Sequence, residues 1–295
     1  MPLKILVWNL QDFFLFLDKY TNENLKELSE PQWQLLSSSL KPLKPLQKIF
    51  DISHVIQKSQ ADLCLFTEVG GFESLDNFNR LFLNNKYKPI HYNSNSDRGI
   101  DLGALVNPSL QIDSKFHSHK DFARGVLELS FSYQGHYLHF LLTHLKSKLY
   151  RPGEDFEGRT QRDKEVDQLI KIATKILQSK QHFPLICGDL NGIIYEQDTE
   201  PELSKLQQKL DVKDVLNWLE KPLLERSTYF YFTKMNSLTP MQLDYCLIPK
   251  KLKSYISKKS SILDFSGSYR SHYPTKKNFD EPSDHYPLFI ELDFS

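Results

Sequence analysis

The run Phe183-Pro184-Leu185-Ile186-Cys187-Gly188-Asp189-Leu190-Asn191-Gly192 is apolar over the length of a strand and stops abruptly at Gly-Asp-Leu-Asn. Consecutive apolar residues behind a proline suit a strand buried on both faces, so other layers must cover it from either side. The Asn-Gly that follows marks where the strand gives way to a loop. Asp189 and Asn191 lie two apart and project together, while Leu190 turns back into the core. A carboxylate beside a carboxamide offers a proton acceptor or metal ligand next to a neutral hydrogen-bond donor, which suits an anionic phosphate. In isolation the same two residues would serve equally well to begin a turn.

The theme recurs along the chain. Residues 4–10 read as a buried strand through Ile5, Leu6, Val7 and Trp8 that delivers Asn9 and Gln11 at its end, and residues 61–68 repeat it with Glu68 as the terminal carboxylate. Strands are expected at 87–92, 102–106, 111–116, 125–133 and 136–144, with Gln134-Gly135 as the turn joining the last two. The second arm of that hairpin ends in Thr143-His144-Leu145-Lys146-Ser147-Lys148, which puts His144, Lys146 and Lys148 on one face. Residues 228–233 and 242–248 read as strands, the latter carrying Asp244, and a final strand through Phe289, Ile290 and Leu292 follows Ser283-Asp284-His285-Tyr286-Pro287-Leu288.

Helical spacing appears at 46–59 and, most clearly, at 159–180, where Val166, Leu169, Ile170, Ala173, Ile176 and Leu177 form one stripe; a polar helical stretch spans 203–218. Residues 12–45 lack periodicity and read as an insertion with a short helix or two, its Phe13, Phe14, Phe16 and Trp33 packing locally. Many strands, few helices and several hairpin joints predict an α/β sandwich of two sheets rather than a wholly parallel sheet.

Nothing in the composition divides the 295 residues, so one domain over 1–295 is expected. The N-terminus runs straight into a strand pattern without a leader, and no apolar run approaches the ~18 residues of a membrane span, so a cytoplasmic protein without membrane insertion is expected. The three cysteines, Cys64, Cys187 and Cys246, each sit in an apolar run and predict reduced, buried thiols. Thirty-seven basic residues balance 37 acidic ones, so attraction to a polyanion has to be local. Residues 249–280 offer such a patch, with Lys250, Lys251, Lys253, Lys258, Lys259, Arg270, Lys276 and Lys277 interleaved with Tyr255, Phe265, Tyr269, Tyr273 and Phe279. That is the composition of a nucleic-acid contact, and it lies between Asp244 and His285.

Six blocks carry a resemblance. Trp8-Asn9-Leu10-Gln11, Leu65-Phe66-Thr67-Glu68, Thr143-His144-Leu145-Lys146-Ser147-Lys148, Gly188-Asp189-Leu190-Asn191, Leu243-Asp244-Tyr245 and Ser283-Asp284-His285-Tyr286-Pro287-Leu288 occur in an order that resembles the exonuclease-endonuclease-phosphatase superfamily. The resemblance implies a four-layered α/β sandwich with two central, mostly antiparallel sheets. It further implies hydrolysis of a phosphoester, expected to be a DNA or RNA diester, by in-line attack of water. Glu68, Asn9 and Asp284 are then expected around Mg²⁺, or Mn²⁺ in its place. His144, Asp189, Asn191, Asp244 and His285 are expected to do the chemistry. Asp244 would orient His285, Asp189 competes with His285 as the base, and Asn191 and His144 would donate to the non-bridging oxygens. Arg98, Lys146 and Arg162 are candidates for substrate phosphate. The alternative substrates are a small or lipid-headgroup phosphoester. A binding module without chemistry is disfavoured because every acid and both histidines are present. Gln11 stands where some nuclease branches have Asp, which weakens a second metal site, and Gly192 stands where many relatives carry Asp.

Overall fold

A computed structural model describes the chain except residues 19–23, 95, 97, 149–154, 195–198, 234–237, 276–278 and 295. In chain order the elements are β1 (Leu3–Phe13), α1 (Glu30–Gln34), α2 (Leu46–Ser59), β2 (Leu63–Val69), α3 (Phe72–Phe82), β3 (Lys88–Tyr92) and β4 (Asp101–Val106). Then follow β5 (Asp113–His119), β6 (Phe122–Tyr133), β7 (His136–His144), α4 (Arg159–Leu177), β8 (His182–Asp189), α5 (Pro201–Leu210), β9 (Val212–Asp214), α6 (Val215–Trp218) and α7 (Leu223–Arg226). The chain closes with β10 (Tyr229–Phe232), β11 (Leu238–Met241), β12 (Asp244–Pro249), β13 (Ser261–Ile262) and β14 (Leu288–Leu292).

Two six-stranded sheets, ordered β13-β14-β1-β2-β4-β3 and β5-β6-β7-β8-β12-β9, form the centre, and β10-β11 makes a separate ribbon. Each large sheet has one parallel pair, β1 with β2 and β7 with β8, and its other pairings are antiparallel. The parallel pairs need crossovers, which α2 and α4 provide. Between the sheets, Ile5, Val7, Leu65, Phe140, Leu142, Leu185 and Cys187 belong to one buried core. Outside the first sheet Ile49, Ile52 and Val55 of α2 and Phe78 of α3 pack on Leu6, Trp8 and Cys64. Outside the second, Val166, Leu169 and Ala173 of α4 pack on Leu141 and Ile186. The result is the expected four-layered sandwich, and each fully buried aliphatic side chain in it contributes ~1.5–3 kcal/mol.

Several elements depart from expectation. The helix α3 was not foreseen, because Ser74, Asn77 and Asn79 interrupt its apolar stripe; these are buried and hydrogen-bonded to the backbone of Leu15 and Tyr87. The polar stretch 203–218 is not one helix. Asp211 adopts a left-handed conformation (φ 49°) that ends α5, and Asp214 caps α6 by accepting from Leu216 N and Asn217 N. Trp33, on α1, is buried against Phe82 at 6.2 Å, and Leu15 and Leu43 join it in the same core, so these residues of the expected insertion pack into the helical layer. Cys64, Cys187 and Cys246 are buried free thiols. No helix among the described residues is long and apolar enough to cross a membrane.

Candidate active site

The parallel pairs bring the strand-ending polar residues to one end of the sandwich. On β1 and β2, Asn9 pairs with Thr67, one residue before Glu68. On β7 and β8, His144 pairs with Asp189, and on the antiparallel neighbour β12, Asp244 faces Asp189. Asn9 Nδ2 donates to Asp189 Oδ2 at 3.0 Å and thereby ties the ends of the two sheets together. The loop before β14 is stitched to the same place. Trp8 Nε1 donates to His285 O at 2.7 Å, and Ser283 Oγ donates to Asn9 O at 2.7 Å. The β7–β8 ends meet closely because Gly188 has φ 121°, where an added Cβ would lie 2.0 Å from Thr143 O.

One half of the site is buried and proton-rich. His285 Nδ1 lies 2.6 Å from Asp244 Oδ2, and both side chains are nearly inaccessible. Burial alone would lower the His285 pKa, but Asp244, Asp189 and Asp284 outweigh it and hold the ring well above its ordinary value, so it is an imidazolium at neutral pH. Burial, reinforced by the nearby Asp244 charge, pushes Asp189 up to about 7 against the opposing pull of His285, Asn191 N and Asn9. His144 is driven the other way, well below its ordinary value, by burial and by Arg124, His285 and Arg98. It is therefore neutral, with Nε2 3.5 Å from Asp189 Oδ2 and 3.9 Å from Glu68 Oε1.

The other half opens to solvent and has unusual backbone. Gln11, Asp12 and Glu68 all have left-handed φ values of 50°, 49° and 63°, and the β1–β2 register shifts between Asn9 and Phe13. Asp12 N donates to Glu68 Oε2 at 3.0 Å. Arg98 pairs with Asp12 Oδ1 at 2.7 Å and lies 3.9 Å from Glu68 Oε2. Asn9 Oδ1 accepts from Gln11 N at 2.9 Å. Asp284 is exposed on the stitched loop.

Asp189, Asp244 and His285 place ligand-type atoms within 4.8 Å of one another. That set is a poor nest for a divalent ion, because His285 Nδ1 is committed to Asp244 and the three side chains are buried, which leaves little room for the ion's waters. Glu68 and Asn9 are the better fit: carboxylate and amide oxygens are hard donors, and Mg²⁺ takes few protein ligands while keeping its waters.

The remaining candidates divide. Asn191 (φ 49°) donates Nδ2 to Leu145 O at 3.1 Å, which leaves its second amide hydrogen for another acceptor. Lys146 follows β7, with its backbone N–H on Glu165 Oε2 and its side chain beside Gly158. Arg162, expected at the substrate, is fully buried. It binds Glu200 and Glu202 at 2.8 and 2.5 Å and the carbonyls of Lys146 and Glu157, so it clamps the outer layer instead. Its place in the apolar-striped α4 gave no sign of those two partners. Arg124 on β6 was missed: its buried Nε has no hydrogen-bond partner, and its charge acts on Glu68, Asp189 and His144. Only the pairing of β6 with β7 reveals this, because no motif surrounds it.

The continuous basic track is also corrected. Since β12 runs away from Asp244, Pro249 lies at the opposite end of the sandwich, where Tyr255 packs on Phe294 at 4.7 Å and on His136 at 5.1 Å. Ser257 and Lys259 meet Glu291 on that same far end. Arg270 is folded inward, held by Ser227 O and Leu224 O and stacked over Phe230, Tyr273 and Tyr286. Lys276 and Lys277 lie outside the described residues.

The sequence profile of the Endonuclease/Exonuclease/phosphatase family matches residues 9–293, and the chain belongs to that family as a phosphoesterase. Its fold is that of the human Nocturnin catalytic domain with bound sulfate (TM-score 0.64, 19% identity, covering 100% of this chain and 95% of that one). It is also similar to D. rerio TDP2 complexed with single strand DNA product (TM-score 0.60, 14% identity, 99% of both chains). A third likeness is to Bacteroides thetaiotaomicron mannosyl-6-phosphatase (TM-score 0.62, 15% identity, 99% of this chain and 100% of that one). No curated protein sequence matches the chain.

Proposed function

We propose that the protein is a divalent-metal-dependent phosphodiesterase that hydrolyses a nucleic-acid or nucleotide phosphoester by in-line attack of water. The observation that carries this reading is the pairing of an imidazolium, His285 on Asp244 at 2.6 Å, with a buried carboxylate, Asp189, whose pKa stands at about 7. A group that titrates near 7 can accept a proton from water at neutral pH, which makes Asp189 the base. The His285 imidazolium is then the cation that stabilises charge on the non-bridging oxygens, with Asp244 holding its ring in place. His144 and the second amide hydrogen of Asn191 donate to the same oxygens. Glu68 and Asn9 would hold Mg²⁺ or Mn²⁺, with Asp284 at the rim, and the ion would supply Lewis-acid polarisation of the phosphoryl group. Arg98 and Arg124 add positive charge toward the scissile phosphate, and Lys146 remains a further candidate.

Support for a nucleotide comes from the cavity beside His285. This partly open cavity of about 100 Å³ is lined by Tyr229, Phe230, Tyr231, Phe232, Pro274 and Tyr286 together with the carboxylates of Glu281 and Asp284, with Tyr229 against the His285 ring at 5.2 Å. Aromatic walls next to a phosphate site suit a stacked base. A second reading, a small phosphomonoester, is favoured by the balanced charge and by the distance of Lys259 from the site. The deciding experiment is a panel of single-stranded and duplex DNA, RNA, bis-p-nitrophenyl phosphate and sugar phosphates, each with Mg²⁺ and with chelator. Metal-dependent cleavage of diesters above monoesters is expected. Preference for sugar phosphates would replace the first reading by the second, and chelator-resistant turnover would remove the metal.

A further inference from the structure

The segment before α2 delivers an amino group to the back of the open half of the site. Lys44 is 5% exposed, and its Nζ donates to Leu10 O at 2.9 Å and to Gln11 O at 2.7 Å. These carbonyls belong to the bend formed by the two left-handed residues Gln11 and Asp12, whose next N–H reaches Glu68 Oε2. The lysine's own backbone is held from both sides. Lys44 N donates to Phe14 O at 2.8 Å, and Trp33 Nε1 donates to Lys44 O at 3.0 Å. Gln34 clamps the preceding residue, donating to Leu43 O and accepting from Leu43 N, both at 2.9 Å. Residues 30–46 thus act as a strut carrying one buried cation.

A buried ammonium is costly unless it is hydrogen-bonded and compensated by charge. Here burial and Lys48 lower the Lys44 pKa to about 8, while Asp284, Asp12 and Glu68 act to raise it. Two successive left-handed residues that are not glycine cost free energy and persist only when their surroundings hold them. Lys44 answers both demands, since the carbonyls that need an anchor are the ones its ammonium needs as acceptors.

We propose that Lys44 is a positioning residue of the metal site. Its ammonium locks the Gln11–Asp12 bend, the bend aims Asp12 N–H at Oε2 of Glu68, and Oε1, 3.9 Å from His144 Nε2, is left as the ligand oxygen. This role rests on the metal reading of Glu68 given above.

The test is Mn²⁺ titration of the substrate-free protein by calorimetry, with wild type, Lys44→Met and Glu68→Gln in parallel. Lys44→Met should weaken Mn²⁺ binding by roughly 10–100-fold, as loss of a group supporting a ligand does. At saturating Mn²⁺ its kcat should return close to wild type, with the substrate KM unchanged. A merely structural lysine would lower Tm and leave the Mn²⁺ affinity alone. Unchanged or tighter Mn²⁺ binding in Lys44→Met, with binding weakened in Glu68→Gln, overturns the role of Lys44 only. Mn²⁺ binding at wild-type affinity in Glu68→Gln overturns the metal reading itself. If Lys44→Met does not fold, Gln34→Ala decides by loosening the strut: a smaller rise in Kd supports the proposal and an unchanged Kd overturns it.

Discussion

The two parallel strand pairs finish in different environments. At the ends of β7 and β8, His144 and Asp189 are 2% and 1% exposed, close against Asp244 and His285, and their pKa values are displaced. At the ends of β1 and β2, Glu68 stays partly exposed, supported by a left-handed bend, Lys44 and Arg98. The same βαβ device therefore builds a dry half that tunes protons and a wet half that presents hard oxygens. Burial is what separates them, because desolvation shifts a proton affinity whereas an ion with its own hydration shell needs an opening.

The most damaging change should fall on the dry half. His285→Ala and Asp189→Asn are each expected to cut kcat by roughly 10²–10⁴-fold, as loss of a general acid or base does, while circular dichroism and cooperative unfolding stay native. Turnover near wild type in both would mean that the buried half is not where the chemistry occurs.

Glu68→Gln tests the wet half and should act through the ion. Activity is expected to fall at low Mg²⁺ by at least the roughly 100-fold that loss of a partner behind a ligand can cost, and to recover partly as Mg²⁺ is raised, because the carboxamide keeps a neutral oxygen for the ion. A loss that no Mg²⁺ concentration relieves would erase the functional contrast between the halves.

A pH series separates activity from stability. Folding raises the Asp189 pKa, so its contribution to stability is full below the ordinary carboxylate value and is lost as pH rises through about 7. The raised His285 works in the same direction, its contribution being lost as pH rises from the ordinary imidazole value through its raised one. Turnover that needs ionised Asp189 should climb with pH across about 7 while Tm declines. Asp189→Asn should abolish that part of the Tm decline and raise Tm above wild type at pH 8. A rise of Tm with pH in wild type across this window would contradict the assigned burial.

The smallest effect is expected far from both halves. Charge reversal at Lys258 and Lys259 should leave cleavage and the salt dependence of polynucleotide binding unchanged, because this stretch meets Glu291 at the opposite end of the sandwich. A flatter salt slope, by about 0.9 log-log units per lost duplex contact, would restore the basic track.

The layered fold and the residues at the strand ends were legible in the sequence. Strand-length apolar runs have to be covered on both sides, and a polar residue closing such a run can only emerge where the cover ends. Asn9, Glu68, His144, Asp189 and Asp244 were found in this way, and their convergence follows from the register of the parallel pairs. Tertiary structure alone decided what isolated cations do. Arg162 is consumed by Glu200 and Glu202, Arg124 is left with an unpartnered Nε near His144, and Lys44 reaches from the supposed insertion to the back of Glu68. A positive charge carries no periodicity that betrays its partner, and long side chains reach across elements distant in sequence. Their roles are set by which carboxylates and carbonyls the fold brings within a few ångströms, and local pattern holds no record of that.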